Sequence, residues 1–156
     1  MNNNINLAKF GLDEKRQLLR TSDEKNTQES YLKAAFTPST PPFDKYHPTR
    51  FKYESFTEDT VTFYAFDVSE HVIKGISFNM PRDLTSGTYA IKNDDTSVGV
   101  MLDAGGLWQR AHEGSITFTR DAQKGSIEGT FHFKVIYKGS EYEVAGEFYL
   151  VKTGDI

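Results

Sequence analysis

Four histidines are the side chains best suited to acid–base or metal chemistry, because an imidazole titrates near neutral pH and can ligate a metal ion. A ligand pair needs two histidines two residues apart on a strand or four apart on a helix, and no pair here has either spacing. We therefore interpret all four as solvated surface residues and predict no metal site and no cofactor. They are His47, His71, His112 and His132.

Three glutamates near the C-terminus are candidates for the paired carboxylates of a glycosidase. Glu141, Glu143 and Glu147 share one parity, and residues two apart on a strand lie about 7 Å apart on the same face. The apolar residues between them occupy the opposite parity, so the glutamates belong to the polar face of a strand. This pattern predicts a solvated face without a cleft.

Other catalytic signatures are absent from the sequence. The chain has no cysteine, which excludes disulfides, thiolate catalysis and Cys-based metal sites. Nucleophile-elbow, phosphate-loop and dinucleotide motifs are also missing. Asp94 and Asp95, with Asp103, lack the alternating oxygen ligands of a calcium loop, so we interpret them as a turn. The sequence favours a protein that is not an enzyme.

Composition narrows the choice of partner. With 22 acidic and 18 basic residues, the chain lacks the positive charge of a protein that binds nucleic acid through phosphates. No apolar stretch approaches the ~20 residues of a membrane-spanning helix. The N-terminus has neither the basic nor the apolar region of a classical secretory signal. These features favour the cytoplasm, with export by a specialised secretion system as the alternative.

The elements that position these residues are β-strands, and the pattern is clearest over residues 126–151. Apolar and polar residues alternate on both sides of Lys138-Gly139, which predicts an antiparallel hairpin with a two-residue turn. On the outer face this register sets Lys134 opposite Glu143. On the inner face it sets large rings opposite glycines: Phe131 against Gly146 and Gly129 against Phe148.

A third strand is predicted over residues 114–119, which also alternate. A loop over residues 120–125 would set Phe118 opposite Ile127, Ile116 opposite Gly129 and Gly114 opposite Phe131. From residue 50 onward, eight or nine strands recur at roughly 8–15-residue spacing with turn signals between them. The predicted fold is all-β: an antiparallel β-sandwich or flattened barrel, with a partly helical or flexible N-terminal arm.

The chain is predicted to divide into three parts. Residues 1–36 form the polar N-terminal arm, with short helices over 13–20 and 27–36 as candidates. Residues 37–48 hold three prolines within five residues and form a stiff linker. Residues 49–156 form the antiparallel β domain.

Aromatic residues make up 13% of the chain. Some of them, such as Tyr64 and Phe66, occupy the strand positions opposite in direction to the inward-facing ones. Rings on both faces of a sheet indicate that both faces are covered or that one face binds a partner. Apolar residues of the arm are candidates for the covering role: Phe10, Leu18, Leu19 and Phe36. Three further aromatic residues are candidate ligand-binding residues: Trp108, Phe63 and Tyr89.

The C-terminal two thirds of the chain resemble small β-rich domains of bacterial surface lipoproteins. Those domains have runs similar to Ile76-Ser-Phe-Asn-Met-Pro and Ser86-Gly-Thr-Tyr, followed by strands similar to Gly114-Ser-Ile-Thr-Phe-Thr and Ile127-Glu-Gly-Thr-Phe. The resemblance covers residues 60–151 and implies a β-rich fold, with no shared catalytic residues. This chain lacks the signal peptide and lipidated cysteine of that group.

Three functions remain open at this stage. The leading hypothesis is a non-enzymatic bacterial binding or interaction protein with a protein partner. The second is a small β-barrel that encloses an apolar ligand, and the third is a hydrolase or lyase that uses His112 or His132 with Glu113 or Glu147. Pairing of strand edges between copies is also open, although the acidic face of the last hairpin opposes it.

Overall fold

The computed structural model describes Phe10 and residues 29–69, 71–93 and 97–156. Within them, ten strands form two five-stranded antiparallel sheets that pack as an open sandwich. The first sheet has the order β1-β10-β9-β8-β5 and the second β2-β3-β4-β6-β7. The strands are β1 Tyr31–Thr37, β2 Arg50–Glu54, β3 Thr60–Asp67, β4 Lys74–Pro81, β5 Gly87–Lys92, β6 Gly99–Ala104, β7 Leu107–Arg110, β8 Glu113–Asp121, β9 Ser126–Tyr137 and β10 Ser140–Val151.

The all-β prediction is confirmed, and so is the register of the last hairpin. Lys138 and Gly139 both have positive φ, 50° and 78°, as a tight two-residue turn between twisted strands requires. The β9–β10 pairs include Phe131 with Gly146, Gly129 with Phe148, and Lys134 with Glu143. A two-residue turn fixes which residues of the two strands lie opposite each other, and this is why the register could be predicted.

The predicted register of β8 against β9 is wrong by two residues. Phe118 lies opposite Gly129 rather than Ile127, and the two strands are paired as far as Asp121 and Ser126. The turn is shorter than expected because the Asp121 carboxylate accepts the backbone N–H groups of Gln123 and Lys124, each at 3.0 Å. A shift of two residues keeps every side chain on its predicted face. The other corrected pairs are Ile116 with Phe131 and Gly114 with Phe133.

The segment predicted as a helix over residues 27–36 is instead largely strand β1, which pairs with β10 along its whole length. Leu32 and Phe36 alternate with exposed residues and enter the core, 3% and 5% exposed. Phe36 therefore packs between the sheets and does not cover an outer face. β1 contains good helix formers such as Leu32, Lys33 and Ala34, but its pairing with β10 outweighs that local preference.

The proline-rich segment 37–48 packs against the end of the sandwich. The ring of Phe43 stacks on Phe36 at 4.7 Å and meets Tyr137 and Tyr142 edge-on at 5.0 Å each. The hydroxyl of Tyr46 donates to the Ala65 carbonyl at 2.7 Å. These contacts hold the expected linker against the β-strands on either side of it.

Among the residues that the structure describes, the core between the sheets contains 29 buried apolar residues, and 13 of them are aromatic. Phe63 stacks on Phe78 at 4.7 Å and on Phe148 at 5.1 Å, so one ring from the second sheet bridges to the first. Burial of rings of this size, with the added preference for stacked and edge-on pairs, stabilises the packing of one sheet on the other. None of the helices among the described residues is long and apolar enough to cross a membrane.

The outer face of the second sheet is also buried, which is one of the two alternatives that aromatic residues on both faces left open. A second apolar cluster lies there and is built around the ring of Phe10, which is 1% exposed. The Phe10 carbonyl accepts from Ser77 Oγ at 3.1 Å, and the Arg110 guanidinium lies 5.6 Å from the centre of its ring. The other buried members are Tyr64, Phe66, Met101 and Trp108. Leu18, Leu19, the candidate helix over 13–20 and the Asp94-Asp95 turn lie outside the described residues.

Candidate binding surface

The outer face of the first sheet is open, and the strand register arranges its side chains in rows across the strands. One row, here the central row, consists of small residues around a single imidazole: Ala35, Ala145, His132, Ser115 and Ala90. The next row, here the charged row, carries longer polar side chains: Thr37, Glu143, Lys134, Glu113 and Lys92. A row of short side chains beside a row of long side chains leaves a furrow across the sheet.

That furrow is a trough of about 550 Å³ between the central row and the charged row. Ala35 and Ala145 leave space above β1 and β10, while His132 stands on β9. Glu143, Lys134 and Glu113 form the opposite wall. The remaining lining comes from Thr37, Gly114, Phe133 and Val144. The trough thus combines a floor of strand backbone and methyl groups with a wall of charged groups.

Alternating charges organise the wall. Lys134 Nζ lies 3.7 Å from Oε1 of Glu113 and 3.7 Å from Oε1 of Glu143. At the end of the wall, His112 Nε2 lies 3.1 Å from Glu141 Oε1 and 3.7 Å from Glu113 Oε1. Two carboxylates thus flank the Lys134 ammonium group and a third, Glu141, faces His112, so the wall is negative overall when the imidazoles are neutral.

These groups are exposed enough to meet a ligand. Their side chains are between 36% and 64% exposed, with His112 the least and Glu143 the most accessible. Ion pairs at such exposure contribute only about 0–1 kcal/mol, so a ligand can replace them at low cost. The wall can therefore offer hydrogen-bond acceptors and negative charge to a partner without destabilising the fold.

The structure brings together one of the predicted acid–base pairs. His112 and Glu113 are neighbours, and Glu141 joins them, which the sequence pattern did not indicate. His132 lies opposite Ala145 and Ser115, whereas Glu147 lies opposite Thr130 and Lys33. The predicted outward orientation of His132 and of all three C-terminal glutamates is confirmed. Among the described residues, no group of three His, Cys, Asp or Glu side chains is placed to hold a metal ion.

The three candidate ligand-binding aromatics do not share a site. Phe63 lies in the core between the sheets. Tyr89, on the edge strand β5, stacks on Phe118 with the ring centres 5.5 Å apart. Trp108 lies on the outer face of the second sheet, where its Nε1 is buried without an acceptor among the described residues. Their role in ligand binding stays a prediction, and the fold does not bring them together.

A buried ion pair, which the sequence patterns did not reveal, lies at one end of the second sheet. Asp67 and Lys74 face each other across β3 and β4, with Lys74 Nζ 3.6 Å from Asp67 Oδ2 and both side chains 1% exposed. Lys74 also donates to the Lys45 carbonyl, and Asp67 accepts from the backbone N–H of His47 at 2.9 Å. The pair therefore ties the proline-rich segment to the sandwich.

The surroundings of Asp67 keep it ionised. Burial pushes the pKa of its carboxyl up, but the hydrogen bonds from Ser69 and His47 and the charge of Lys74 outweigh burial and hold the pKa below its usual value. Both residues lie at inward-facing positions of their strands. The alternation of β3 and β4, combined with the pairing of the two strands, would therefore have predicted a buried Asp67–Lys74 pair. They are best explained as structural.

Asp103 is a second buried carboxyl group, 5% exposed on β6 between Gly75 and Trp108. Burial raises its pKa to about 6, although the backbone N–H of Gly106, donating to Oδ1 at 3.0 Å, acts in the opposite direction. The carboxyl closes the β6–β7 turn through this hydrogen bond.

Comparison with known proteins adds no assignment: no protein-family model, curated protein or solved structure matches this chain.

Proposed function

We propose that this chain is a non-enzymatic binding protein that engages its partner through the trough on the outer face of the first sheet. The observation that carries the proposal is the difference between the two sheets. The second sheet is buried on both faces, including polar residues such as Lys52 and Glu54, whereas the first sheet leaves one face open. The resemblance of residues 60–151 to bacterial lipoprotein domains supports the same class.

Binding fits the polar groups better than catalysis does. Hydrolysis by a His–Glu pair requires a site that positions a substrate and limits water at the reacting atoms. His112 and its two glutamates instead stand at the exposed end of the trough, 36% or more accessible. In that setting they act as hydrogen-bonding and charged groups that a partner can recognise.

The second hypothesis, an enclosed apolar ligand, finds less support in the packing. Phe63, one of the residues expected to line such a cavity, has close ring neighbours in Phe78, Phe148 and Tyr53. The space between the sheets is occupied by side chains of the protein itself at this point.

The charges of the wall favour a ligand that carries a cationic group. Glu113 and Glu143 flank Lys134, and Glu141 adds a third carboxylate, so an ammonium or guanidinium group placed between the glutamates meets net negative charge. Alkyl parts of the same ligand would lie on Ala35 and Ala145. A lysine- or arginine-containing peptide has this chemistry.

Filling the trough tests the proposal. Ala145→Trp places a large ring in the trough from an outward-facing position on β10. Thr119→Trp places the same ring on the same outer face of the first sheet, but on β8 and outside the trough. Peptides selected from a random library on the unmodified protein serve as the probe. Ala145→Trp is expected to weaken their binding by about tenfold or more, as for a residue at the centre of an interface.

Thr119→Trp is the matched control, and peptides that bind it as tightly as the unmodified protein support the trough. Circular dichroism of both variants checks that the sheets are intact. Selected peptides that bind Ala145→Trp without loss, or a library that yields no binder at all, would overturn the proposal.

A further inference from the structure

Strand β1 is an edge strand. It pairs with β10 from Tyr31 to Thr37, and the described residues provide no strand on its other side. Alternate backbone N–H and C=O groups along such an edge point away from the sheet and can bond to another extended chain. β1 therefore offers a template for a further strand.

A groove of about 620 Å³ runs beside this edge. Residues 30–34 form one wall, and residues 46–49 together with Phe51 form the other, so the groove lies where the edges of the two sheets face each other. A strand added to β1 would point every second side chain into the groove, because side chains alternate between the faces of a sheet. Leu32 and Tyr46 make those positions suitable for apolar side chains.

The geometry points to β1 as the docking edge for an extended segment of a partner protein, which adds to the first sheet as a sixth strand. Its inward side chains are apolar and fill the groove beside Leu32. Its outward side chains include a carboxylate opposite Lys33, the lysine in the middle of the edge, whose Nζ lies 5.7 Å from the centre of the Tyr31 ring.

A separate segment fits this edge better than a second copy of the chain. In an edge-to-edge dimer the added strand would be the β1 of the other copy. Its inward residues, Leu32 and Phe36, are 3% and 5% exposed and already packed in their own core, so they cannot fill the groove of a neighbour. A segment without a core of its own brings free side chains to the groove.

This inference rests on the proposed binding function but uses another surface. The trough lies on the outer face of the first sheet, and the groove lies beside its edge. Failure at one surface therefore leaves the other to be tested separately.

The probe is a synthetic peptide in which valine and threonine alternate, with one glutamate among the threonines. Two versions are methylated on the backbone nitrogens of either the valines or the threonines. Along a strand these two sets of N–H groups point to opposite edges, so only one set can bond to β1. Binding to the full-length isotope-labelled chain is followed by NMR titration. One version is expected to bind about tenfold or more weakly than the unmethylated peptide, and the other within about twofold.

The protein variant Lys33→Glu tests whether the Lys33 ammonium group attracts the carboxylate of the bound peptide. It is expected to bind the glutamate peptide about fivefold more weakly and to recover when the peptide carries lysine in that place. Lys124→Glu, an exposed lysine in the β8–β9 turn, is the matched control and should bind as the unmodified chain does.

Four results would overturn the inference: no binding, equal effects of the two methylated peptides, loss of binding in Ala145→Trp, or concentration-dependent protection of β1 amides without peptide. The third would move the peptide to the trough and so favour the proposed function. The fourth would identify a second copy as the occupant of the edge.

Discussion

Two buried carboxyl groups, Asp67 and Asp103, have pKa values that are shifted in opposite directions. Asp67 is held ionised by Ser69, His47 and Lys74, whereas Asp103 has one local donor, Gly106, and a raised pKa of about 6. The difference follows from their partners, because both carboxyl groups are almost wholly buried. Asp103 should therefore make the stability of the protein depend on pH.

Asp103→Asn is expected to stabilise the protein near neutral pH. The folded-state pKa of Asp103 is about 6, above its ordinary value of 3.8, so the folded state binds a proton more tightly than the unfolded state does. The unfolding free energy of the unmodified protein therefore falls as pH rises from about 4 to about 6. Asparagine keeps an acceptor for Gly106 without ionising, which should add about 2 kcal/mol at about pH 8 and nothing at about pH 4.

Denaturant unfolding at both pH values measures this difference. Asp83→Asn removes one exposed negative charge and serves as the control. A gain from Asp103→Asn that is equal at the two pH values would contradict the role given to ionisation.

At the scale of strands, turn length decided which parts of the fold could be predicted from the sequence. The two-residue turn at Lys138-Gly139 fixes the β9–β10 register without ambiguity. The β8–β9 turn has several residues, and the carboxylate of Asp121 selects the shorter loop, which alternation alone cannot show. Local sequence patterns do not predict β1, because its pairing partner β10 lies in a distant part of the chain.

Close approach of neighbouring strands requires glycine at position 129. A Cβ at Gly129 would lie 2.8 Å from the Cα of Phe118 and closer still to the Thr117 carbonyl, and both are backbone atoms that cannot turn aside. Gly129→Ala is therefore expected to lower the unfolding free energy by about 2 kcal/mol. Denaturant unfolding provides the measurement.

Thr130→Ala, an exposed change at the next position of β9, is the matched control and should stay within about 0.5 kcal/mol of the unmodified protein. Equal stability of Gly129→Ala and Thr130→Ala would show that the strands can move apart at this point.

At the scale of the whole molecule, the two sheets differ in how many faces they bury. Aromatic residues on both faces of β3 indicated that its outer face is covered or binds a partner, and the structure places Phe10 on that face. The trough could not be predicted, because it arises from Ala35, Ala145 and His132 lining up across strands whose full pairing the sequence did not reveal. The outward direction of these side chains followed from alternation, but their grouping required the register and β1.

Phe10→Ala is expected to destabilise the protein by about 3 kcal/mol, since it removes a buried ring from the second apolar cluster. Trp108 belongs to the same cluster and is the single tryptophan, so its fluorescence reports the change directly. The emission should move to longer wavelength as water reaches the indole.

Ile136→Ala, at a side chain that is 51% exposed on the first sheet, should leave both the emission and the stability unchanged. Unchanged emission in Phe10→Ala would mean that Phe10 does not shield the tryptophan.

The most direct test of the binding surface is an amide chemical-shift map of the full-length chain titrated with a peptide selected on it. The largest shifts are expected along the trough, at Ala35, His132 and Ala145 and at Glu113 and Glu143 of its wall. Shifts confined to the second sheet, or to the loops at the ends of the sandwich, would contradict the assignment of the first sheet's outer face as the binding surface.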